Sequence, residues 1–124
     1  MSMTALSYQD FLQMASQKLC DPNNFGRHNA LLLVNFERLA ELDGVLGFNV
    51  VDEVVRKISN QLIDALNPES LVGITGRHQV CCLLVELLSD AHAILAAHKI
   101  LRILMPPVVL GKRNITLASI MRYC

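Results

Sequence analysis

Residues 71–87 read Leu-Val-Gly-Ile-Thr-Gly-Arg-His-Gln-Val-Cys-Cys-Leu-Leu-Val-Glu-Leu. Two strand-like runs, Leu71 to Thr75 and Val80 to Leu87, flank the four residues Gly76-Arg77-His78-Gln79. Apolar and β-branched residues on either side of a glycine-led polar break predict a hairpin. Cys81 and Cys82 are adjacent, so their side chains should leave opposite faces of the second strand. Such a hairpin needs partners, and the flanking sequence supplies them.

Upstream, Ala30 to Val34 is a short, continuously apolar run that fits a strand covered on both faces. Phe36 to Asp43 predicts a short helix, stopped around Gly44 and Gly47. Asn49 is placed to cap the next helix. That helix carries Val50, Val51, Val54, Val55, Ile58, Leu62, Ile63 and Leu66 on one broad apolar face, and Pro68 closes it. Nearer the N-terminus, Ser7 can cap a helix with Asp10 in its first turn. Phe11, Leu12, Met14, Ala15 and Leu19 recur there at helical spacing. Asp21-Pro-Asn-Asn-Phe-Gly26 is a breaker cluster and reads as a loop.

Downstream, Ser89 or Asp90 starts a helix with Ala91, Ile94, Leu95, His98, Leu101 and Met105 inward, ended by Pro106-Pro107. Val108 to Leu110 and Ile115 to Met121 then predict a second hairpin around Gly111-Lys112-Arg113-Asn114. Stripped of extras, the order is βαββαβ. That predicts an α/β fold, an α+β sandwich of ferredoxin-like type, with an N-terminal helix and an extra C-terminal hairpin. With no repeat or linker, residues 1–124 form one domain: a helix and loop over 1–28 and a core over 29–124.

The bulk numbers narrow the function. The 124 residues carry 11 basic and 11 acidic side chains, so the basic footprint of a nucleic-acid binder is missing. Hydrophobic residues make up 52% and mean hydropathy is +0.38, which argues for more apolar surface than a monomer would expose. Neither a signal peptide nor a run long enough for a membrane span is present. Cys20, Cys81, Cys82 and Cys124 have neither zinc-knuckle nor CxxC spacing, and read as buried, reduced, intracellular thiols.

Several segments in this order resemble the GGDEF domain, the diguanylate cyclase module of bacterial signalling. The resemblance runs from about residue 29 to residue 123. Ala30-Leu-Leu-Leu-Val-Asn-Phe-Glu-Arg-Leu39 looks like the family's first strand and the stretch after it. Leu46-Gly-Phe-Asn-Val-Val-Asp-Glu-Val-Val55 looks like its LGHxxGDxxL segment. Gly76-Arg-His-Gln-Val80 stands in the place of the signature, and Leu117-Ala-Ser-Ile120 resembles the late ASIG strand.

The resemblance implies both a catalytic site and its loss. In active members two carboxylates hold divalent metal against the GTP triphosphate as the 3′-hydroxyl attacks. Here those positions carry Asn35 and Gln79, neutral amides that a hard cation binds poorly. Of the two glycines that let backbone approach the nucleotide, Gly76 remains and Arg77 replaces the other. The next, normally acidic position is His78, and Ala40 stands where a lysine is usual. The two base-reading positions are Asp43 and Asp52, normally an Asn and an Asp. The inhibitory RxxD motif is absent, its place taken by Asn67-Pro-Glu-Ser70.

On this reading the chain is a catalytically inactive regulatory or protein-interaction module of cyclic-di-GMP signalling. It has no metal, no cofactor and no cyclase activity, and it is bacterial and cytoplasmic. It is fused to, or partners, an EAL phosphodiesterase. The family normally continues into another helix and strand, so this chain is either a piece of a longer one or a shortened domain. An apolar face left uncovered by that helix would favour a homo-oligomer. A GTP-sensing domain that binds through Asp52, Asp43 and Gly76 without turnover stays open. So do an enzyme with altered chemistry and an unrelated ferredoxin-like binding domain. Plainer readings stand beside these. His78 is an exposed turn histidine, Arg77 an ordinary solvated turn residue, and Asp52 a partner of the helix dipole. His92 is a surface histidine and His98 a half-buried one.

Overall fold

The computed structural model describes residues 5–104 and the backbone of three later strands, 108–110, 113–115 and 119–123. The elements are α1 (Tyr8–Leu19), a 3₁₀ turn (Pro22–Asn24), β1 (His28–Phe36), α2 (Glu37–Leu46), α3 (Phe48–Ala65), β2 (Leu71–Gly76), β3 (Gln79–Leu87), α4 (Asp90–Leu104), β4 (Val108–Leu110), β5 (Arg113–Ile115) and β6 (Ser119–Tyr123). Four strands form one sheet in the order β2-β3-β1-β6, with every neighbouring pair antiparallel. This is the expected mixed α+β architecture, with βαββαβ connectivity through α2–α3 and α4.

One layer of the core lies between the sheet and α3 and α4. Leu32 and Val34 of β1 and Val80, Cys82 and Leu84 of β3 cluster there with Val54, Ile58, Leu62 and Ile100. The other sheet face is smaller: Leu71, Cys81, Leu83 and Val85 pack with Phe11 of α1. Cys81 and Cys82 thus leave opposite faces, as alternation requires. Among the described residues Cys20 departs from the expected burial, because it caps α1 at the surface.

Ser7 does cap α1, its side chain accepting from the Asp10 amide. Just before it, Leu6 lies on the free edge of β2: its amide donates to Val72 O and its carbonyl accepts from Ile74 N. This extra rung covers edge groups that would otherwise invite another strand. Phe11 then crosses Gly73 so closely that a Cβ there would sit 2.7 Å from the ring.

Four expectations change. The 21–26 loop contains a 3₁₀ turn capped by Asp21, and Asn24 is buried because its Oδ1 accepts the Glu86 amide. Asn49 does not cap α3. The helix starts one residue earlier, at Phe48, after Gly47 at φ +89, a left-handed conformation suited to glycine. The C-terminal hairpin is split: β4 pairs with β5, whereas β6 leaves it and joins the sheet beside β1. Met105, Pro106, Pro107, Gly111, Lys112, Leu117, Ala118 and Cys124 lie outside the described residues.

The largest correction is α4. Its buried residues are Ala93, Ala97, Ile100 and Leu104, while Ala91, Ile94, Leu95, His98 and Leu101 face outward. This helix is apolar on two sides, so periodicity alone offers two stripes. The stripe with two alanines allows close approach to the sheet, and it is the one taken. His98 is accordingly exposed, like His92. No helix among the described residues is long and apolar enough to cross a membrane.

Candidate functional site

The polar residues of interest converge where the tip of the β2–β3 hairpin meets the end of β1 and the start of α3. Pairing fixes the first contact. Asn35 and Gln79 are directly opposite in the β1–β3 ladder. Their side chains meet across it, Gln79 Nε2 donating to Asn35 Oδ1 at 2.8 Å. Gln79 Oε1 accepts in turn from Thr75 Oγ1 at 2.9 Å. The two amides therefore hold each other in a neutral cross-strand pair.

Thr75 is the extra residue of a bulge between Ile74 and Gly76, and Gly76 pairs with Gln79. That leaves Arg77 and His78 as the two residues of the loop. Neither has positive φ. A Cβ on Gly76 would meet Gln79 Cβ at 3.6 Å, an ordinary contact, so local backbone geometry does not demand glycine at the tip. The Phe36 amide donates to His78 O at 2.7 Å and ties the turn to the end of β1.

The turn side chains reach back to α2. Arg77 Nε donates to Asp43 Oδ2 at 3.0 Å, and its Nη2 donates to Asp43 Oδ1, a two-pronged pair. The Arg77 guanidinium also lies 4.3 Å from the centroid of the Phe48 ring. His78 Nε2 lies 2.8 Å from Asp43 Oδ2. The hydrogen bond from Arg77 is the largest influence on Asp43, and together with that from His78 it holds the carboxyl below its ordinary value against partial desolvation. An ionised carboxylate only accepts, so His78 Nε2 carries the proton in this contact. Arg77 is exposed, as expected of a turn residue, but it is held by Asp43 and Phe48, and His78 is only partly exposed and faces Asp43.

Asp52 lies in the second turn of α3, with no acidic residue in the first, so it does not serve as the dipole partner. It pairs instead with Arg56 at 3.1 Å. Asp52 also lines a cleft of about 350 Å³ with Tyr8, Phe48, Val55, Thr75, Gly76 and Arg77. A second cleft of about 540 Å³ continues past Leu6, Tyr8, Arg56 and Asn60. The structure therefore brings together Asn35 and Gln79, and separately Asp43, Arg77 and His78. Asp52 shares the lining of the cleft with Arg77 of the second group. Val80, the last residue of the signature segment, is fully buried and structural. Sequence reading missed Phe48 and Thr75; the arginine three residues before Val80 was the only hint that an aromatic platform would matter.

This is the tertiary frame of a nucleotide-cyclase-like module: a ferredoxin-like sheet whose β2–β3 hairpin, with β2 at the edge, carries the turn beside β1. The chain matches the family model "Diguanylate cyclase, GGDEF domain" over residues 2–121, and it belongs to the GGDEF family of cyclic-di-GMP signalling domains. Among solved structures it is similar to the GGDEF domain of PA1120 (YfiN or TpbB) from Pseudomonas aeruginosa. That match has 22% identity and a TM-score of 0.85, covering 99% of this chain and 76% of that one. An EAL/GGDEF domain protein from M. capsulatus matches at 23% identity and TM-score 0.77, over 94% of this chain and 75% of that one. A diguanylate cyclase/phosphodiesterase from Caldicellulosiruptor saccharolyticus matches at 13% identity and TM-score 0.76, over 96% and 69%. Comparison with curated protein sequences finds no match.

Proposed function

We propose that this chain is a non-catalytic GGDEF module that acts by interaction, as a regulatory domain in cyclic-di-GMP signalling. The observation that carries the reading is the hydrogen bond between Gln79 and Asn35. The two positions at which the family holds divalent metal are neutral, and each amide oxygen already has a donor. Such a donor set does not suit a hard cation, which needs carboxylate charge. Among the described residues no group of three His, Cys, Asp or Glu side chains is placed to hold a metal ion. A base-reading position is also engaged, because Asp43 is claimed by Arg77 and His78.

The test is turnover. With GTP and magnesium or manganese, the wild-type chain should form no cyclic dinucleotide above a heat-killed control; product would sink the reading. Asn35→Asp with Gln79→Glu supplies a sharper arm. Two carboxylates would then face each other across the ladder, so the double variant should be less stable without cation. Its melting temperature should rise with added manganese, while the wild-type value stays fixed.

The matched EAL/GGDEF and cyclase/phosphodiesterase proteins support a partner of that kind, an EAL phosphodiesterase in cis or trans; the reading places the module in the cytoplasm. Self-association through the apolar sheet face beside α1 belongs to the same reading, and sedimentation across a concentration series tests it.

A second reading rests on Asp52, which is partly exposed in the cleft beside Phe48 and Gly76. It has the module bind GTP without turnover. Calorimetric titration of GTP into the wild type and Asp52→Ala separates the two: heat that Asp52→Ala abolishes supports binding, and no heat at millimolar nucleotide removes it.

A further inference from the structure

Helix α4 has a second apolar stripe that nothing in the described residues covers. The inward stripe of Ala93, Ala97, Ile100 and Leu104 seats the helix on the sheet. On the other side, Ile94 is 49% exposed, Leu95 64% and Leu101 37%, and Leu88, just before the helix, is 64% exposed. Ala91 lies among them. Residues 91, 94, 95, 98 and 101 share a face by the helical period. A helix that is apolar on both sides belongs inside a structure, and this one has a single side inside. Three large aliphatic side chains in one stripe, with exposed Leu88 just before the helix, make a patch of the kind that marks an interaction surface.

The charges beside the stripe choose between occupants. Lys99 and His92 run along one rim, and Arg102 and His98 sit within the stripe towards its C-terminal half. The acidic residue of the helix, Asp90, lies at its N-terminal end and faces His28 at 3.1 Å. Among the described residues neither Lys99 nor Arg102 has an ion-pair partner. A second copy packed antiparallel across a two-fold axis near Leu95 would set Lys99 of one copy beside His92 of the other. That rim then offers Lys99 no carboxylate. A helix with an apolar stripe and a carboxylate rim meets both features at once: aliphatic side chains between Ile94, Leu95 and Leu101, and carboxylates beside Lys99 and Arg102.

We propose that the outward face of α4, centred on Leu95, docks an acidic amphipathic helix of a partner protein. The proposal rests on the reading of the chain as an interaction module and names its surface and the chemistry of what it binds. It is independent of the hairpin tip, and none of its residues belongs to the site described above.

The experiment uses two synthetic helical peptides with the same leucine stripe, one rimmed by glutamate and one by lysine, titrated into the whole chain by calorimetry. Amide shifts in nuclear magnetic resonance then map the contact. The glutamate-rimmed peptide should bind and shift amides of α4, and the lysine-rimmed one should not. Leu95→Glu, a surface change, should weaken binding at least about tenfold while the melting temperature holds. Lys99→Glu with Arg102→Glu should reverse the preference between the peptides. Binding of neither peptide, or a preference that survives the charge reversal, overturns the proposal. So does a dimer in solution that Leu95→Glu dissociates, or stronger binding to phosphatidylserine vesicles than to the peptide. Absence of both cyclic dinucleotide and peptide binding would sink this inference and leave the loss of catalysis standing.

Discussion

Near its base, the β2–β3 hairpin is enclosed on both faces. Leu71, Cys81 and Leu83 meet Phe11 on one side, and Val72, Cys82 and Leu84 join the α3–α4 layer on the other. A few residues away, at the tip, Thr75, Arg77, His78 and Gln79 each have a polar partner instead, in Gln79, Asp43 or Asn35. One strand pair therefore passes from a region organised by removal of water to one organised by direction of hydrogen bonds. The base tolerates little change of volume. The tip is held by polar contacts near the surface, so a change of side-chain chemistry there leaves the buried layers untouched.

That contrast can be broken or sharpened by measurement. The largest effect is expected beneath the base: Ile58→Ala, at a fully buried position, should cost about 2–5 kcal/mol in chemical unfolding. A cost near zero would mean that the α3 layer is not the core. Next, Gly73→Ala should cost about 1–3 kcal/mol, because the new Cβ would lie 2.7 Å from Phe11 and the ring must move. Combined with Phe11→Ala, the double variant should lose less than the two separate losses added together, since the ring contacts at 2.7 Å are removed and only the Cβ of residue 11, at 2.8 Å, still meets the new methyl group. Additive losses would remove the contact as the cause.

The tip should respond to pH rather than to volume. Asp43 has its folded-state value lowered, first by the Arg77 hydrogen bond. Its contribution is therefore present above the ordinary value of 3.8 and lost as pH falls through the lower folded value. The stability difference between wild type and Arg77→Ala should stay level from neutral pH down to about 4 and shrink in stronger acid. A difference that grows in acid would contradict the pairing. Because both groups are largely at the surface, the difference should be smaller than for either base variant.

The smallest effect separates two thiols. Burial pushes the Cys82 thiol up to about 12, and Cys20 is at the surface. Iodoacetamide at pH 8, followed by mass mapping, should label Cys20 readily and Cys82 only with unfolding. The Cys82 contribution to stability is complete below its ordinary value of 9.0 and is lost as pH rises from there towards about 12.

Much of this molecule was legible in the order of residues. Strand runs, breakers and the Ser7 cap are local signals, written within a few positions of where they act. The residue types at 35, 77, 78 and 79 are likewise plain on the page, and none of the four is a carboxylate. Local signals could not say which side of α4 turns inward. Ile94, Leu95 and Leu101 make as good a stripe as Ala93, Ala97, Ile100 and Leu104, and only the closeness of the sheet favours the alanines. Nor could they join Arg77 to Asp43 across 34 positions, or bring Phe48 beneath that guanidinium. Those contacts exist because the chain returns on itself: α2 and α3 cross over and set β1 next to β3. Sequence by itself determined the elements and the chemistry available to them. The tertiary structure decided which groups satisfy one another and which apolar stripe is left facing water, because burial and pairing depend on neighbours that are distant in the chain.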